Sequence, residues 1–199
     1  MKYVLASANP GKVKEMRDIL LELDIDVVSR AELGITIDVE ETGTTFYQNA
    51  RLKAEAICLA SGMPAIADDS GLIVESLNGE PGVYSSSYGG EGLNTYDHCM
   101  YLLDKMKNME QRRAKFVCTI VCAFPGGIHL TVNGECHGKI LTELRGTGGF
   151  GYDQVFLPDG YEKSMAELTP DEKNTISHRG IALREFSKLI KSYKTGTNV

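Results

Sequence analysis

The chain predicts a mixed-sheet α/β fold, and three observations lead there. Short apolar runs of β-type residues alternate with segments of helical spacing, and one strand, turn and strand unit interrupts that alternation. The third is length: 199 residues suffice for one domain with a real core and are too few for two ordinary ones. Alternation asks for parallel strands joined through helices, whereas a hairpin places an antiparallel pair in the same sheet. The chain is therefore read as a single domain over 1–199.

Near the N-terminus "YVLA" reads as a buried strand, followed by "SANPGK" and a helix with Val13, Met16, Ile19, Leu20 and Leu23 on one side. Asn9 suits the N-cap of that helix and Pro10 its first position. "VVS" and "ITIDV" read as two further strands, the second ending in Glu40 and Glu41. Thr45 and Gln48 stand in capping-box register before a helix whose apolar stripe is Phe46, Ala50, Ala54 and Ile57, and Gly62 and Pro64 stop it. "AIA" is a short buried strand that runs straight into Asp68, Asp69, Ser70 and Gly71. From Asn94 to about Met109 the helical spacing falls on Tyr96, Met100, Leu103 and Met106. "AKFVCTIVCAF", Pro125-Gly126-Gly127 and "IHLTVNGEC" form the hairpin, and "QVFLP" is extended. Thr169-Pro170-Asp171-Glu172 is a strong helix start. Ser177 can cap the last helix, with Ile181, Phe186, Leu189 and Ile190 as its stripe, and the polar "KTGTNV" is a loose tail.

Composition narrows the function classes. Hydrophobic residues make up 42% and charged residues 24% of the chain, with no run of about 18 uncharged apolar residues that could span a bilayer. The opening residues do not read as a secretory signal, so a cytoplasmic protein is expected. Five cysteines, an odd number without a C-x-x-C pair, read as buried thiols of a reducing compartment. A formal charge of -6 argues against general nucleic-acid binding, which needs a broad basic surface. A single small polyanion is still compatible, if lysines, helix ends or a metal ion reverse the field locally.

Four constellations carry chemistry. "GTGGFGYD" (146–153) has the G-x-G-x-x-G spacing of a dinucleotide loop, yet no helix opens after it, so the dinucleotide reading fails on context. What remains is a flexible backbone presenting Phe150, Gly151, Tyr152 and Asp153, either a structural glycine turn or a ligand loop. Ser7, Ala8, Asn9, Pro10, Gly11 and Lys12 form a turn into a helix N-terminus, where amides, dipole and the lysine charge favour an anion. The same residues also make a well-capped helix with a solvated lysine. Glu40-Glu41 and Asp68-Asp69 each lie where an apolar strand is read to end. Such carboxylates repel one another unless a hard divalent cation sits among them, although a pair of acidic turns has the same composition. Finally, Lys173, Ser177, His178 and Arg179 put cations at a helix start, against the dipole, and a broken local rule of this kind often marks a site. His98, His129 and His137 are read as structural.

Taken together, "LASANPGKVKEM", "EETGTTFYQNARLKAE", "AIADDSGLIVESLNGEPGVYSSSY", "GTGGFGYDQVF" and "LTPDEKNTISHRGIAL" resemble, in order and nearly end to end, the inosine/xanthosine triphosphate pyrophosphatases, the Ham1-like family. That resemblance implies an elongated mixed α/β sheet with flanking helices, two lobes around a central nucleotide cleft, and a homodimer. It implies Mg²⁺-dependent cleavage of ITP, dITP or XTP between the α and β phosphates. By the same resemblance Asp69 is metal-linked and the general base, Ser70 lies beside the substrate, and Glu41 or Glu40 joins the metal site. Ser7 to Lys12 hold the triphosphate, while Phe150 to Asp153, Lys173, His178 and Arg179 grip the nucleoside. Two departures stand out: Gln154 where the family commonly has proline, and the stretch "SSSYGG" after "PGVY". A non-catalytic nucleotide sensor and a pyrophosphatase for modified pyrimidine nucleotides are the alternatives.

Overall fold

The computed structural model describes residues 1–196. The described residues form five α-helices and a six-stranded mixed sheet, in chain order β1 (Tyr3–Leu5), α1 (Pro10–Glu22), β2 (Val27–Ser29), α2 (Phe46–Ser61), β3 (Ala65–Val74), α3 (Thr95–Lys105), β4 (Arg113–Ala123), β5 (His129–Ile140), β6 (Phe156–Pro158), α4 (Pro170–Ile176) and α5 (His178–Thr195). The sheet order is β2-β1-β3-β4-β5-β6. β1 runs parallel to β2 and β3, and β6 is antiparallel to β5, so the predicted mixed α/β class is what the chain adopts. Two compact units divide the chain: one comprises Met1–Asp69, Cys118–Gly134 and the chain from His178 onward, the other Ser70–Val117 and Glu135–Ser177.

In the first unit the strand pleat sorts the core into two sets. Tyr3 and Leu5 of β1, Ile66 of β3, and Cys118, Ile120 and Cys122 of β4 pack with Met16 and Leu20 of α1 and with Leu183, Phe186 and Ile190 of α5. The intervening residues Val4, Ala6, Ala65, Ala67, Val121 and Ala123 pack with Ala50, Ala54 and Ile57 of α2. Successive strand side chains point to opposite faces, so α1 and α5 cover one face of the sheet and α2 the other. Each fully buried Leu, Ile or Phe contributes about 1.5–3 kcal/mol relative to exposure. Gly134 of β5 is required for the close approach of α5, since a Cβ there would lie 2.2 Å from the His178 carbonyl oxygen.

Helix ends follow the sequence signals closely. Asn9 caps α1, its Oδ1 accepting from the Gly11 and Lys12 amides. Thr45 caps α2 by accepting from the Gln48 amide, while the Gln48 side chain reaches back to the Thr44 amide, one residue earlier than a strict capping box. Gly62 ends α2 in the left-handed region at φ 66°.

The second unit has its own core. Leu72 and Val74 of β3, Phe116 of β4, Cys136 and Ile140 of β5 and Phe156 of β6 pack with Cys99 and Leu102 of α3 and with Met106 at its C-cap. Thr169 and Glu172 complete the expected capping box at α4. All five cysteines are free and buried. Burial pushes the thiols of Cys99, Cys118 and Cys136 up to about 12.

Four expectations are corrected. "ITIDV" is irregular chain, not a strand: it alternates in the required way, but no strand pairs with it among the described residues and Ile37 is exposed. The strand beginning "AIA" does not stop before the acids; β3 continues through Asp68 and Asp69 to Val74. Only part of the expected α3 stripe faces inward: Leu103 and Met106 pack into the core, whereas Tyr96 and Met100 are exposed and His98, Cys99 and Leu102 are buried. Of the expected loose tail, Lys194 and Thr195 belong to α5, and residues 197–199 lie outside the described residues.

Candidate active site

In the first unit the site is built around β3. Leu5 of β1 pairs with Ile66, and the Ala6 amide donates to the Ile66 carbonyl, so β1 ends just where β3 continues into its acidic pair. By the pleat, Asp68 follows Ile66 onto the α1/α5 face and Asp69 follows Ala67 onto the α2 face. The carboxylates of neighbouring residues therefore meet different partners.

Asp68 is buried and its Oδ2 meets two cations. Its Oδ2 lies 3.3 Å from Lys12 Nζ, and Arg179 donates to it from Nη2 at 3.0 Å and Nε at 3.2 Å. Arg179, itself 2% exposed, donates from Nη1 to Glu15. Lys12 and Glu15 are three residues apart on α1 and so share a helix face. Burial alone would push the Asp68 carboxyl up, but Lys12, Arg179 and Lys53 together hold it well below the usual carboxylate range. The two carboxylates in turn keep Arg179 charged against its own desolvation.

The Ser7 to Lys12 turn sits immediately after β1, with Ala8, Asn9 and Pro10 exposed and Ser7, Gly11 and Lys12 half-buried. Its amides are occupied by the cap: Asn9 Oδ1 accepts from Gly11 at 2.9 Å and Lys12 at 3.2 Å, and the Asn9 carbonyl accepts from Val13. The Asn9 amide donates to Ser7 Oγ at 3.2 Å. An anion at this helix start would meet the Lys12 ammonium and compete with the Asn9 side chain for the amides.

On the other face Asp69 is 6% exposed and shares its cation. Lys53 Nζ lies 3.1 Å from Asp69 Oδ1 and 3.1 Å from Glu41 Oε1. Asn49 Nδ2 donates to Asp69 Oδ2 at 3.3 Å, and Asn49 Oδ1 accepts from the Gly43 amide at 2.8 Å, which orients the amide group. Burial pushes the Asp69 carboxyl up to about 6 against the pull of Lys53 and Lys12, and the Glu41 charge adds to the rise. Both acids are exposed, and Glu41 is the one that pairs with Lys53. No group of three or more His, Cys, Asp or Glu side chains gathers as a metal cage among the described residues. Glu41 and Asp69 are the pair that faces one cationic point.

Asn49, Lys53 and Glu15 escape the sequence reading. A signal for two of them exists: Asn49 and Lys53 are spaced i, i+4 and fall on the buried stripe of α2 between Phe46, Ala50, Ala54 and Ile57. A lysine on an apolar stripe is a polar group in need of a buried partner. Glu15 carries no such signal on its own.

The second unit holds the glycine loop. A single 3-10 turn over Asp153–Val155 and then β6 follow it, so no α-helix begins there, as the sequence predicts. Asp153 is buried; its Oδ2 accepts from the Phe150 amide at 2.8 Å and from Lys173 Nζ at 2.8 Å. The Lys173 ammonium also lies 4.7 Å from the Phe150 ring centroid. Tyr152 donates its hydroxyl to the Ser85 carbonyl at 2.9 Å. The glycines are needed by the protein itself. A Cβ at Gly146 would lie 2.7 Å from the Ala166 carbonyl carbon, one at Gly148 2.8 Å from its oxygen, and one at Gly149 2.1 Å from Asp153 Oδ2. The loop is thus folded tightly against its own unit.

The expected cluster of Lys173, Ser177, His178 and Arg179 is split. Lys173 turns to Asp153 in the second unit, and Arg179 turns to Asp68 and Glu15 in the first, which explains how a helix start accommodates a cation. His178 is buried at the first residue of α5, and Ser177 is the extended joint between α4 and α5. Ser70, half-buried on β3, opens the second unit. His98 lies 2.8 Å from the Tyr88 carbonyl, His129 pairs with Glu55 and His137 with Glu135.

Cations, carboxylates and a helix start on one α/β sheet are the groups with which phosphate-handling proteins work. Similarity to known proteins makes the class specific. The model of the Ham1 family matches residues 3–189. A Bacillus subtilis protein named dITP/XTP pyrophosphatase is 47% identical over 191 residues, covering 95% of this chain and 96% of the relative. A Desulfotalea psychrophila protein of the same name is 50% identical over 183 residues, covering 92% and 82%. The structure of the Staphylococcus aureus Ham1 protein superposes with a TM-score of 0.87 at 40% identity, covering 97% of this chain and all of the other. That of a HAM1 protein from Coxiella burnetii gives 0.88 at 38%, covering 96% and 99%. This chain belongs to the Ham1 family.

Proposed function

We propose that this protein hydrolyses the non-canonical purine nucleoside triphosphates dITP, ITP and XTP to the monophosphate and pyrophosphate, removing deaminated purines from the nucleotide pool. The observation that carries the reading is the arrangement of Asp69, Lys53 and Glu41 in a chain so similar to proteins named dITP/XTP pyrophosphatase. A carboxyl raised to about 6 is ionised at neutral pH yet basic enough to take a proton, which is what a general base requires.

Glu41 and Asp69, which each place an oxygen 3.1 Å from the Lys53 ammonium, would together hold a hard divalent cation in exchange for part of that pairing. Mg²⁺ held by these two acids, with Glu40 adjacent, would neutralise the leaving pyrophosphate and acidify the attacking water. Asp69 Oδ1 or Oδ2 orients that water and receives its proton, and Asn49 and Lys53 fix the carboxylate. Ser7 to Lys12 bind the triphosphate, with the Lys12 ammonium as the principal donor, and Ser70 lies beside the reacting phosphate. Phe150, Gly151, Tyr152, Asp153, Lys173 and His178 bind the nucleoside. Arg179, with its donors on Asp68 and Glu15, serves by holding Asp68. Hypoxanthine and xanthine carry an acceptor oxygen where adenine carries an amino group, so donors aimed there discriminate against adenine.

The partner is a small nucleotide, not a nucleic acid or a membrane, and the working form is a cytoplasmic homodimer. The charge of -6 disfavours a nucleic-acid partner, and no helix among the described residues is long and apolar enough to cross a membrane. The test is pyrophosphate release from dITP, ITP, XTP, the four common triphosphates and modified pyrimidine triphosphates in Mg²⁺. Release from dITP and XTP far above the others is expected; no release from any deaminated purine would end the proposal.

A further inference from the structure

We propose that Gln154 is a positioning residue for substrate affinity: its side-chain amide closes the glycine loop of residues 146–153. This rests on the reading that Phe150 to Asp153 bind the nucleoside. Gly146, Gly149 and Gly151 all have positive φ, at 81°, 71° and 62°. Glycines surrender more conformational freedom on ordering than any other residue, so a loop rich in them is ordered at an entropic cost that local bonds must offset. Preorganising such a loop strengthens binding without adding any contact to the ligand.

The bonds that order this loop fall into three sets. Tyr152 and Asp153 fix its second limb through Ser85, the Phe150 amide and Lys173. The Gly148 amide, donating to the Ala166 carbonyl at 3.1 Å, fixes its middle. Across its mouth the Arg145 amide donates to the Gln154 carbonyl at 2.8 Å, and Gln154 Nε2 donates to the Gly146 carbonyl at 2.9 Å. The carbonyl bond is available to any residue at 154. The side-chain bond needs a donor of glutamine's length, and it is the one that holds Gly146, where the chain turns left-handed against Ala166. Proline at this place would have no such donor and would restrain the chain by its fixed φ instead. Glutamine thus does by a hydrogen bond what proline does by a ring.

Steady-state kinetics with dITP and XTP decide the matter, using Gln154→Glu, Gln154→Ala and Gln154→Pro with Phe150→Ala as reference. Loss of one exposed neutral hydrogen bond corresponds to about twofold to fivefold in affinity. Gln154→Glu, which keeps the shape and removes the donor, and Gln154→Ala are expected to raise KM by that factor, with kcat within about twofold. Gln154→Pro is expected to bring KM back toward the unmodified protein. If Phe150→Ala raises KM and neither Gln154→Glu nor Gln154→Ala does, the positioning role is overturned while the loop assignment stands. If Phe150→Ala leaves KM unchanged, the loop assignment itself fails. A fall in kcat at constant KM also overturns the role.

Discussion

Asp68 and Asp69 are one peptide bond apart, and the two faces of the sheet treat them in opposite ways. On the α1/α5 face Asp68 has two cations, Lys12 and Arg179, and its carboxyl is held far below the ordinary range. On the α2 face Asp69 divides one ammonium with Glu41, and its carboxyl is driven up to about 6. Similar burial gives opposite results because the balance of neighbouring charge differs. A matched carboxylate is structural, and an undermatched one has basicity and cation affinity left over. The pleat of a single strand separates the two roles.

The largest effect expected is on rate. Asp69→Asn should lower turnover about 10²–10⁴-fold, the usual range for a general base, with nucleotide binding still measurable by titration. Near-normal turnover would erase the distinction between the faces. Next comes stability: Asp68→Asn leaves the buried Arg179 short of a counter-charge and should cost about 3–5 kcal/mol in urea unfolding. A loss below about 1 kcal/mol, the value of an exposed pair, would mean that the α1/α5 face is not matched as described. The third effect separates adjacent acids. Glu41→Gln should raise the Mg²⁺ concentration for half-maximal rate about tenfold, and Glu40→Gln less than about twofold. Equal shifts would place both acids at the cation.

The smallest effect is a pH dependence of stability without metal or nucleotide. Asp69 binds more protons folded than unfolded between 3.8 and about 6, so its contribution falls as pH rises through that window. Asp68, with a lowered value, has the reverse sign and contributes stability that is lost only on acidification below the ordinary range. The melting temperature of Asp69→Asn minus that of the unmodified protein should therefore be larger at pH 7 than at pH 4. A difference that shrinks with pH would show that Asp69 is matched after all.

Much of this was legible in the sequence where local chemistry decides structure. The Asn9-Pro10 start, the Thr169 to Glu172 box, the hairpin and the absence of an α-helix after "GTGGFGYD" all depend on residues close in the chain. What was not legible depends on partners brought from afar. Asp68-Asp69-Ser70-Gly71 has turn composition, and only Lys12, Arg179 and Lys53, none of them neighbours in sequence, make a continuous strand tolerable there. "ITIDV" shows the converse, since correct alternation does not make a strand without an edge to pair with. The two carboxylates that Arg179 meets come from α1 and β3, so neither pairing is visible beside it in the sequence.

The five buried thiols of the fold give the molecule an internal clock. Cys58, Cys118 and Cys122 belong to one unit and Cys99 and Cys136 to the other, and none is exposed in the native state. Alkylation needs a thiolate and access, and both are withheld until the surrounding unit opens. Mass increments gathered under a pulse of thiol reagent would therefore date the opening of each unit separately, in the natural protein and without any added probe.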